Sequence, residues 1–216
     1  MLFKMLKTGA ALAVLASAPA FAVAETAAGN DANDKTNMGA LGISSDLQSV
    51  IAKFATAQKA EFDRETTEAE ISSWFFDVYI PTWVAVGNGE LDRGPEFVLD
   101  FWSTPMFVTG DEPYMALWLT EDSHVVEFLA MQHRFLKAKG FTHTHVPDSK
   151  VRAYNGLGGA VEVIWSRRAA DNSEIQRYVV HFEVAKMNGT WKIIGGHTRT
   201  TDAEKDGDTI DGAWAL

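Results

Sequence analysis

Apolar and polar side chains alternate through residues 174–199, on both sides of an Asn188-Gly189 pair. Asn and Gly tolerate the positive φ angles of a type I′ turn, so the pattern predicts a hairpin in which Met187 lies opposite Thr190. In this register one face is almost entirely apolar and is predicted to be buried: Tyr178, Val180, Phe182, Val184, Trp191, Ile193, Gly195 and His197. A shift of one residue would exchange it with the face that carries Arg177, His181 and Glu183.

The strand before this hairpin carries the same alternation. A turn at Asp171-Asn172 joins it to residues 160–168, and the resulting pairing sets Val161, Val163 and Trp165 beside Phe182, Val180 and Tyr178. Three strands then share one apolar face under independently chosen turns, which favours this register. Residues 141–146 and 150–154 are also predicted to be extended, with a bend at Pro147.

Helical spacing of apolar residues dominates the chain before these strands. It predicts helices over residues 46–64 and 122–139, a short helix over 95–102 and a short strand over 106–109. A capping box of Thr67 with Glu70 is predicted to open a further helix, which Pro81 kinks or ends. Helices followed by a curved antiparallel sheet define an α+β fold class.

The two ends of the chain differ from this region in composition. Residues 1–24 combine Lys4 and Lys7 with a short apolar run and small residues at the end, which predicts a cleaved signal peptide and export to the periplasm or the medium. Residues 25–45 are predicted to be a flexible linker, 46–201 the folded domain with its core at 67–200, and 202–216 a loose acidic tail in which Trp214 is able to dock.

Charge and residue usage exclude several functions. The formal net charge of −10 argues against binding to nucleic acid or to anionic membranes, and no membrane insertion is expected after signal cleavage. The absence of cysteine excludes disulfides and cysteine nucleophiles. His143 and His145 have the spacing of metal ligands on a strand, but exposed strand residues are the favoured interpretation, so no metal and no cofactor are predicted.

The chain resembles the nuclear-transport-factor-2-like superfamily, and within it the SnoaL-like branch, over residues 71–200. The likeness rests on the order of helices and strands, on the aromatic helix ISSWFFDVYIPTW and on the final GTWKIIGGHTR. It implies a cone-shaped half-barrel in which N-terminal helices close one end of a strongly curved antiparallel sheet around an internal pocket. It also implies a homodimer formed through the outer face of the sheet.

Polar and aromatic residues on the predicted inner face are the candidate ligand contacts. His197 and Arg199, with Tyr178 and Trp165 nearby, suit a small apolar or weakly anionic ligand. The helices that close the cone contribute further candidates, for which plain core packing is the alternative: Tyr79, Trp83, Trp102 and His133.

Catalysis is not evident from these residues. Steroid-isomerase and polyketide-cyclase relatives carry an acid in the pocket, whereas the comparable position here is Phe182 or His181. The sequence therefore favours a small-molecule-binding domain with an aromatic-lined pocket. One alternative is an isomerase, cyclase or lyase with His197 or His181 as general base, and the other is a non-catalytic oligomerisation or partner-docking module.

Overall fold

The computed structural model describes residues 44–54, 62–112 and 115–215. The chain forms two compact units, residues 1–55 and 56–216. The described part of the first unit contains one helix, α1 (Ser45–Phe54), at the start of the helix predicted over residues 46–64. The predicted signal peptide, residues 25–43 of the predicted linker and residues 55–61 of that helix lie outside the described residues.

The second unit opens with a helical stretch made of α2 (Arg64–Ser73), a π-helical segment (Trp74–Tyr79) and α3 (Ile80–Asn88). Asp63 caps α2 by accepting a 2.7 Å hydrogen bond from the Thr66 N–H, so the helix begins before the predicted capping box. Of the two predicted effects of Pro81, a kink or an end, the end is wrong, because the helix continues to Asn88. A π-helical segment directly before the proline accommodates the missing N–H.

Seven strands form one curved mixed sheet in the order β2-β1-β7-β6-β5-β3, with β4 also paired to β5. The strands are β1 (Trp102–Thr109), β2 (Ala116–Leu119), β3 (Phe141–His145), β4 (Ser149–Asn155), β5 (Gly158–Ala169), β6 (Glu174–Met187) and β7 (Thr190–Thr200). A 3-10 segment (Pro95–Asp100) precedes β1, and α4 (Asp122–Ala138) follows β2. The predicted α+β class is confirmed, although β1 runs parallel to β7 and the sheet is therefore not purely antiparallel.

The predicted register of the central strands is confirmed. Val161 lies opposite Phe182, Val163 opposite Val180 and Trp165 opposite Tyr178. Met187 also lies opposite Thr190 across the hairpin turn, where Asn188 and Gly189 both have positive φ. The face of β5 and β6 that carries Trp165 and Tyr178, called the inner face below, lies against the helices.

A β-bulge at Ile194 changes the phase of β7. Glu183 pairs with Gly195 and Val184 with Ile193, so Ile194 has no counterpart on β6. One extra residue exchanges the two faces of every later residue in the strand. The prediction that Gly195 and His197 share the inner face is therefore wrong. Gly196, Thr198 and Thr200 take the inner positions instead.

The core lies between the helical stretch and the inner face. Ile71, Phe75, Tyr79 and Trp83 follow each other along α2, the π-helical segment and α3, and all are almost fully buried. The Phe75 ring lies 5.3 Å from the ring of Phe182, which joins the helices to the centre of the sheet. Burial of these large apolar side chains supplies the main driving force for this packing.

The C-terminal segment is folded, which corrects the prediction of a loose tail. It forms α5 (Ala203–Asp206) and α6 (Ile210–Trp214). Ile210 and Ala213 pack against Ile164 and Val179 on the outer face of β5 and β6, and all four side chains are buried. The predicted domain boundary at residue 201 is therefore too early, because the folded unit continues through α6.

Replacement of Ile210 by alanine is expected to lower the free energy of unfolding by about 2–4 kcal/mol, because it leaves a cavity in a buried cluster. Urea unfolding followed by tryptophan fluorescence measures the change. Leu91→Ala is the control, because this side chain is exposed and its loss is expected to cost under about 1 kcal/mol. Equal small effects of both changes would show that the C-terminal helix is not docked.

Candidate functional site

A cavity of about 960 Å³ lies between the inner face of the sheet and the helices. Its walls come from α3, α4 and strands β1, β5, β6 and β7. Apolar and aromatic side chains predominate in its interior, among them Tyr79, Trp83, Trp102, Phe128, Trp165 and Val180. Such a volume is at the upper end of the range typical of small-molecule sites.

Five of the predicted contact residues line this cavity. Tyr79, Trp83, Trp102 and Trp165 are nearly fully buried, whereas Tyr178 is half-buried. Burial raises the pKa of the Tyr79 and Tyr178 hydroxyls, so both remain neutral at physiological pH. The structure thus brings these residues together, and their contact with a ligand stays a prediction.

Arg167 supplies a buried positive charge that the sequence interpretation missed. It is 5% exposed, lines the cavity and lies on β5 two residues beyond Trp165. Its guanidinium carbon lies 5.1 to 5.6 Å from the ring centroids of Tyr178, Trp165 and Trp83. The alternation that places Trp165 inward also places Arg167 inward, so the signal was present in the sequence.

His133 does not line the cavity but lies behind Trp83. The two ring centroids are 3.8 Å apart, and the imidazole also stacks on Phe97 at 5.7 Å. Burial, assisted by the positive charge of Arg167, lowers the pKa of His133 to about 4. A neutral imidazole packed between two aromatic rings fits the structural alternative that the sequence left open.

The prediction that His197 and Arg199 face the pocket is wrong, because the bulge at Ile194 turns both to the outer face. His197 Nδ1 lies 2.7 Å from Thr109 Oγ1 on the neighbouring strand. Arg199 donates hydrogen bonds to the carbonyl oxygens of Ala213 and Ala215, the latter at 3.1 Å. Arg199 therefore holds the C-terminal segment against the sheet.

His181 lies on the outer face, as the favoured register predicts. Its Nδ1 is 3.5 Å from Glu162 Oε1, and its Nε2 is 3.0 Å from Glu183 Oε1. Its ring centroid lies 6.1 Å from that of His197, so the two candidate bases are neighbours. Within the part of the chain that the structure describes, no histidine lines the cavity.

The mouth of the cavity is acidic. Its rim includes Asp111, Glu112, Glu174, Asp202 and Glu204. Glu174 lies 3.1 Å from the buried Arg177, which also forms an ion pair with Asp208. A molecule that enters the cavity therefore passes these carboxylates before it reaches the apolar interior.

The described ranges hold no group of three or more histidine, aspartate or glutamate side chains suited to a metal ion. His143 instead hydrogen-bonds to neighbouring residues, with Nδ1 2.9 Å from Thr142 Oγ1 and Nε2 3.3 Å from Oδ1 of Asn172 in the turn between β5 and β6. In the same ranges, no helix has the length and apolar character needed to cross a bilayer.

A curved sheet wrapped by helices around an internal cavity defines the class of cone-shaped α+β domains. A family model described as NTF2-like protein (DUF6841) matches residues 67–201, more than half of the chain. The chain therefore belongs to this NTF2-like family, and the predicted superfamily is confirmed. No curated protein matches the chain.

Several solved structures are similar to this chain. An NTF2-like protein with a cystatin-like fold from Novosphingobium aromaticivorans is 12% identical, with a TM-score of 0.48, over 80% of this chain and 93% of that one. A DUF3225-family protein from Pectobacterium atrosepticum is 15% identical, with a TM-score of 0.45 and coverage of 63% and 92%. A putative calcium/calmodulin dependent protein kinase II association domain from Xanthomonas campestris is 14% identical, with a TM-score of 0.44 and coverage of 68% and 93%.

The lowered pKa of His133 predicts a pH dependence of stability. Between its folded pKa of about 4 and the ordinary value of 6.5, the unfolded chain binds a proton that the folded chain does not. The contribution of His133 to the free energy of unfolding is therefore full above this window and decreases as the pH falls through it. His133→Gln is expected to lessen the loss of stability between about pH 7.5 and about pH 4.5 in urea unfolding.

The control for this change is His145→Gln, which removes an exposed imidazole from β3 and is expected to leave the pH profile as in the wild type. An NMR titration of the His133 ring protons measures the pKa directly. A midpoint near the ordinary value would contradict the neutral, packed imidazole.

Proposed function

We propose that the protein binds a small, largely apolar molecule inside the cone. The observation that carries this proposal is the cavity of about 960 Å³, walled by Tyr79, Trp83, Trp102 and Trp165. A site of this size and apolar character is the usual form of a small-molecule pocket. Aromatic rings provide flat contact surfaces of low conformational entropy, with a polar edge where a hydroxyl or indole N–H is present.

Unpaired indole nitrogens support this proposal. The Nε1 atoms of Trp83 and Trp165 are buried, and neither has a hydrogen-bond partner among the described residues. Each is a donor that normally finds an acceptor when it is buried. A ligand that carries oxygen acceptors would provide them, which favours a molecule with a few polar atoms on an apolar frame.

An enzyme with a histidine base gains no support from the geometry. His181 and His197 are both on the outer face, away from the aromatic walls. A general base must lie within hydrogen-bond reach of the proton that it removes. An isomerase, cyclase or lyase acting in the cavity would need another base, so a binding domain is the better account.

A pair of adjacent substitutions on β7 tests the cavity proposal. Thr198→Trp places an indole inside the cavity, whereas His197→Trp places it on the outer face. Thr198→Trp is expected to weaken binding of the neutral dye N-phenyl-1-naphthylamine about tenfold, and His197→Trp to leave it nearly unchanged. Dye fluorescence measures both, with circular dichroism as a check of folding. Equal effects of the two substitutions would refute binding inside the cone.

The cellular location stays a prediction from the sequence. The charged and apolar pattern of residues 1–24 supports export to the periplasm or the medium. In that case the ligand would be a molecule of the periplasm or the medium.

The proposed homodimer uses the outer face of the sheet, at its β1–β2 end. Trp118 on β2 is 67% exposed, and its ring centroid lies 4.9 Å from that of Phe107 on β1. The ring centroid of Phe107 also lies 6.4 Å from that of His197, so the aromatic pair is next to the two histidines of the outer face. The C-terminal helices cover the outer face at Ile164 and Val179, whereas Trp118 at the β1–β2 end is exposed, which supports the proposal that a second copy packs there.

Trp118→Ser is expected to shift the protein from dimer to monomer, because exposed aromatic side chains at the centre of an interface often carry much of its binding energy. Analytical ultracentrifugation at several concentrations measures the effect. Tyr154→Ser on β4, also an exposed aromatic side chain, is the control and should leave the dimer intact. A wild-type protein that is monomeric throughout would refute the proposed dimer.

A further inference from the structure

Among the residues that the structure describes, the charge of Arg167 has no anionic partner. A guanidinium remains protonated under all physiological conditions, and a buried charge is costly unless it is paired. Arg167 donates to the side-chain oxygens of Gln176, at 3.2 Å, and Gln132, at 3.5 Å, which are both neutral. In the described ranges, no carboxylate lies within 4.0 Å of it, and its Nε has no hydrogen-bond partner.

Neighbouring arginines in the same sheet are neutralised. Arg168 lies 3.5 Å from Glu174, and Arg177 bonds both Glu174 and Asp208. Glu174 and Arg177 lie at the rim of the cavity, whereas the guanidinium of Arg167 lies among the aromatic rings of its interior. The difference shows that carboxylates are present close by in sequence and space and yet do not pair with Arg167.

The aromatic rings around Arg167 offset only part of the cost of its burial. Trp83, Trp165 and Tyr178 surround the guanidinium carbon at 5.1 to 5.6 Å, which gives favourable cation–π contacts. Ring faces attract the cation but accept none of its in-plane N–H groups as a carboxylate does. These three rings therefore orient the guanidinium and leave its N–H groups able to bind an anion.

The two glutamines extend the donor set. Since the oxygen of each amide accepts from Arg167, the nitrogen of each amide carries two further N–H donors. Gln132 and Gln176 both line the cavity, one from α4 and one from β6. An anion at the guanidinium would therefore meet N–H groups from three side chains on three different elements.

From this arrangement we infer that Arg167 binds the carboxylate of an apolar monocarboxylic acid whose hydrocarbon part fills the aromatic cavity; the inference rests on the proposed binding function. One arginine matches one negative charge. The acidic rim, which includes Asp111, Glu112, Asp202 and Glu204, repels multiply charged anions such as phosphate esters. The aromatic walls favour a ligand whose remaining surface is apolar.

The test compares acids with their neutral amides. Phenylacetate, 3-phenylpropanoate and octanoate are each titrated against the wild-type protein beside the corresponding amide, with calorimetry or tryptophan fluorescence as the measurement. At least one acid is expected to bind about tenfold or more tightly than its amide, as charge-assisted hydrogen bonds to a buried arginine require. Amides that bind as tightly as their acids would overturn the anion site but leave the proposed binding function standing.

Substitution then assigns the preference to a residue. Arg167→Gln is expected to reduce the acid-to-amide ratio to about one while amide affinity changes less than about threefold. Arg93→Gln is the charge-matched control, since Arg93 is partly exposed and pairs with Asp100 at 2.8 Å. A preference that survives in Arg167→Gln would overturn the assignment. If none of the six compounds binds but N-phenyl-1-naphthylamine does, the anion site fails and the proposed function stands. If the dye does not bind either, both fail.

A measurement on the wild-type protein covers the case in which Arg167→Gln does not fold. The buried Nε–H of Arg167 gives an NMR resonance that is expected to shift when an acid binds and to stay in place with the amide. An acid that binds without moving this resonance would overturn the inference. Dye displacement by the same acids shows whether they occupy the cavity.

Discussion

The pairing of β5, β6 and β7 is the constraint on which the rest of the domain depends. The long antiparallel ladder between β5 and β6 fixes Trp165 and Tyr178 toward the helices, since a shift of one residue would turn them outward. One unpaired residue, Ile194, then resets the alternation in β7. Backbone hydrogen bonding thus decides which side chains meet inside the cone and which lie on its surface.

The bulge at Ile194 determines which side chains of β7 face the cavity and which lie on the outer face. On the inner face it leaves Gly196 and Thr198, which are small and give the cavity its width. On the outer face it sets His197 beside His181, and each imidazole has a polar partner on a neighbouring strand, Thr109 and Glu162 respectively. The interior keeps aromatic walls and the charge of Arg167. The proposed binding role of the cavity and the proposed dimer contact of the outer face therefore use opposite sides of the same strands.

The C-terminal segment connects these two sides. Asp202 and Glu204 contribute to the acidic mouth, and Ile210 a few residues later packs on the outer face of β5 and β6. Arg199 holds the end of the segment through backbone carbonyls, and Arg177 holds its middle through Asp208. The segment is therefore part of the domain. It contributes to the entrance of the cavity and covers part of the outer face.

Turn residues and alternation in the sequence determined the α+β class, the β5–β6 register and the inward aromatic residues, because Asn188-Gly189 and a period of two are local properties. The same alternation places Arg167 on the inner face. That no carboxylate among the described residues pairs with it appears only in the three-dimensional structure. Adjacent glycines such as Gly195 and Gly196 are typical of irregular strands, but the position of the bulge at Ile194 is set by pairing with β6 and β1. Tertiary structure alone placed His197 outside the cavity and docked the C-terminal helices, because both depend on contacts between distant segments.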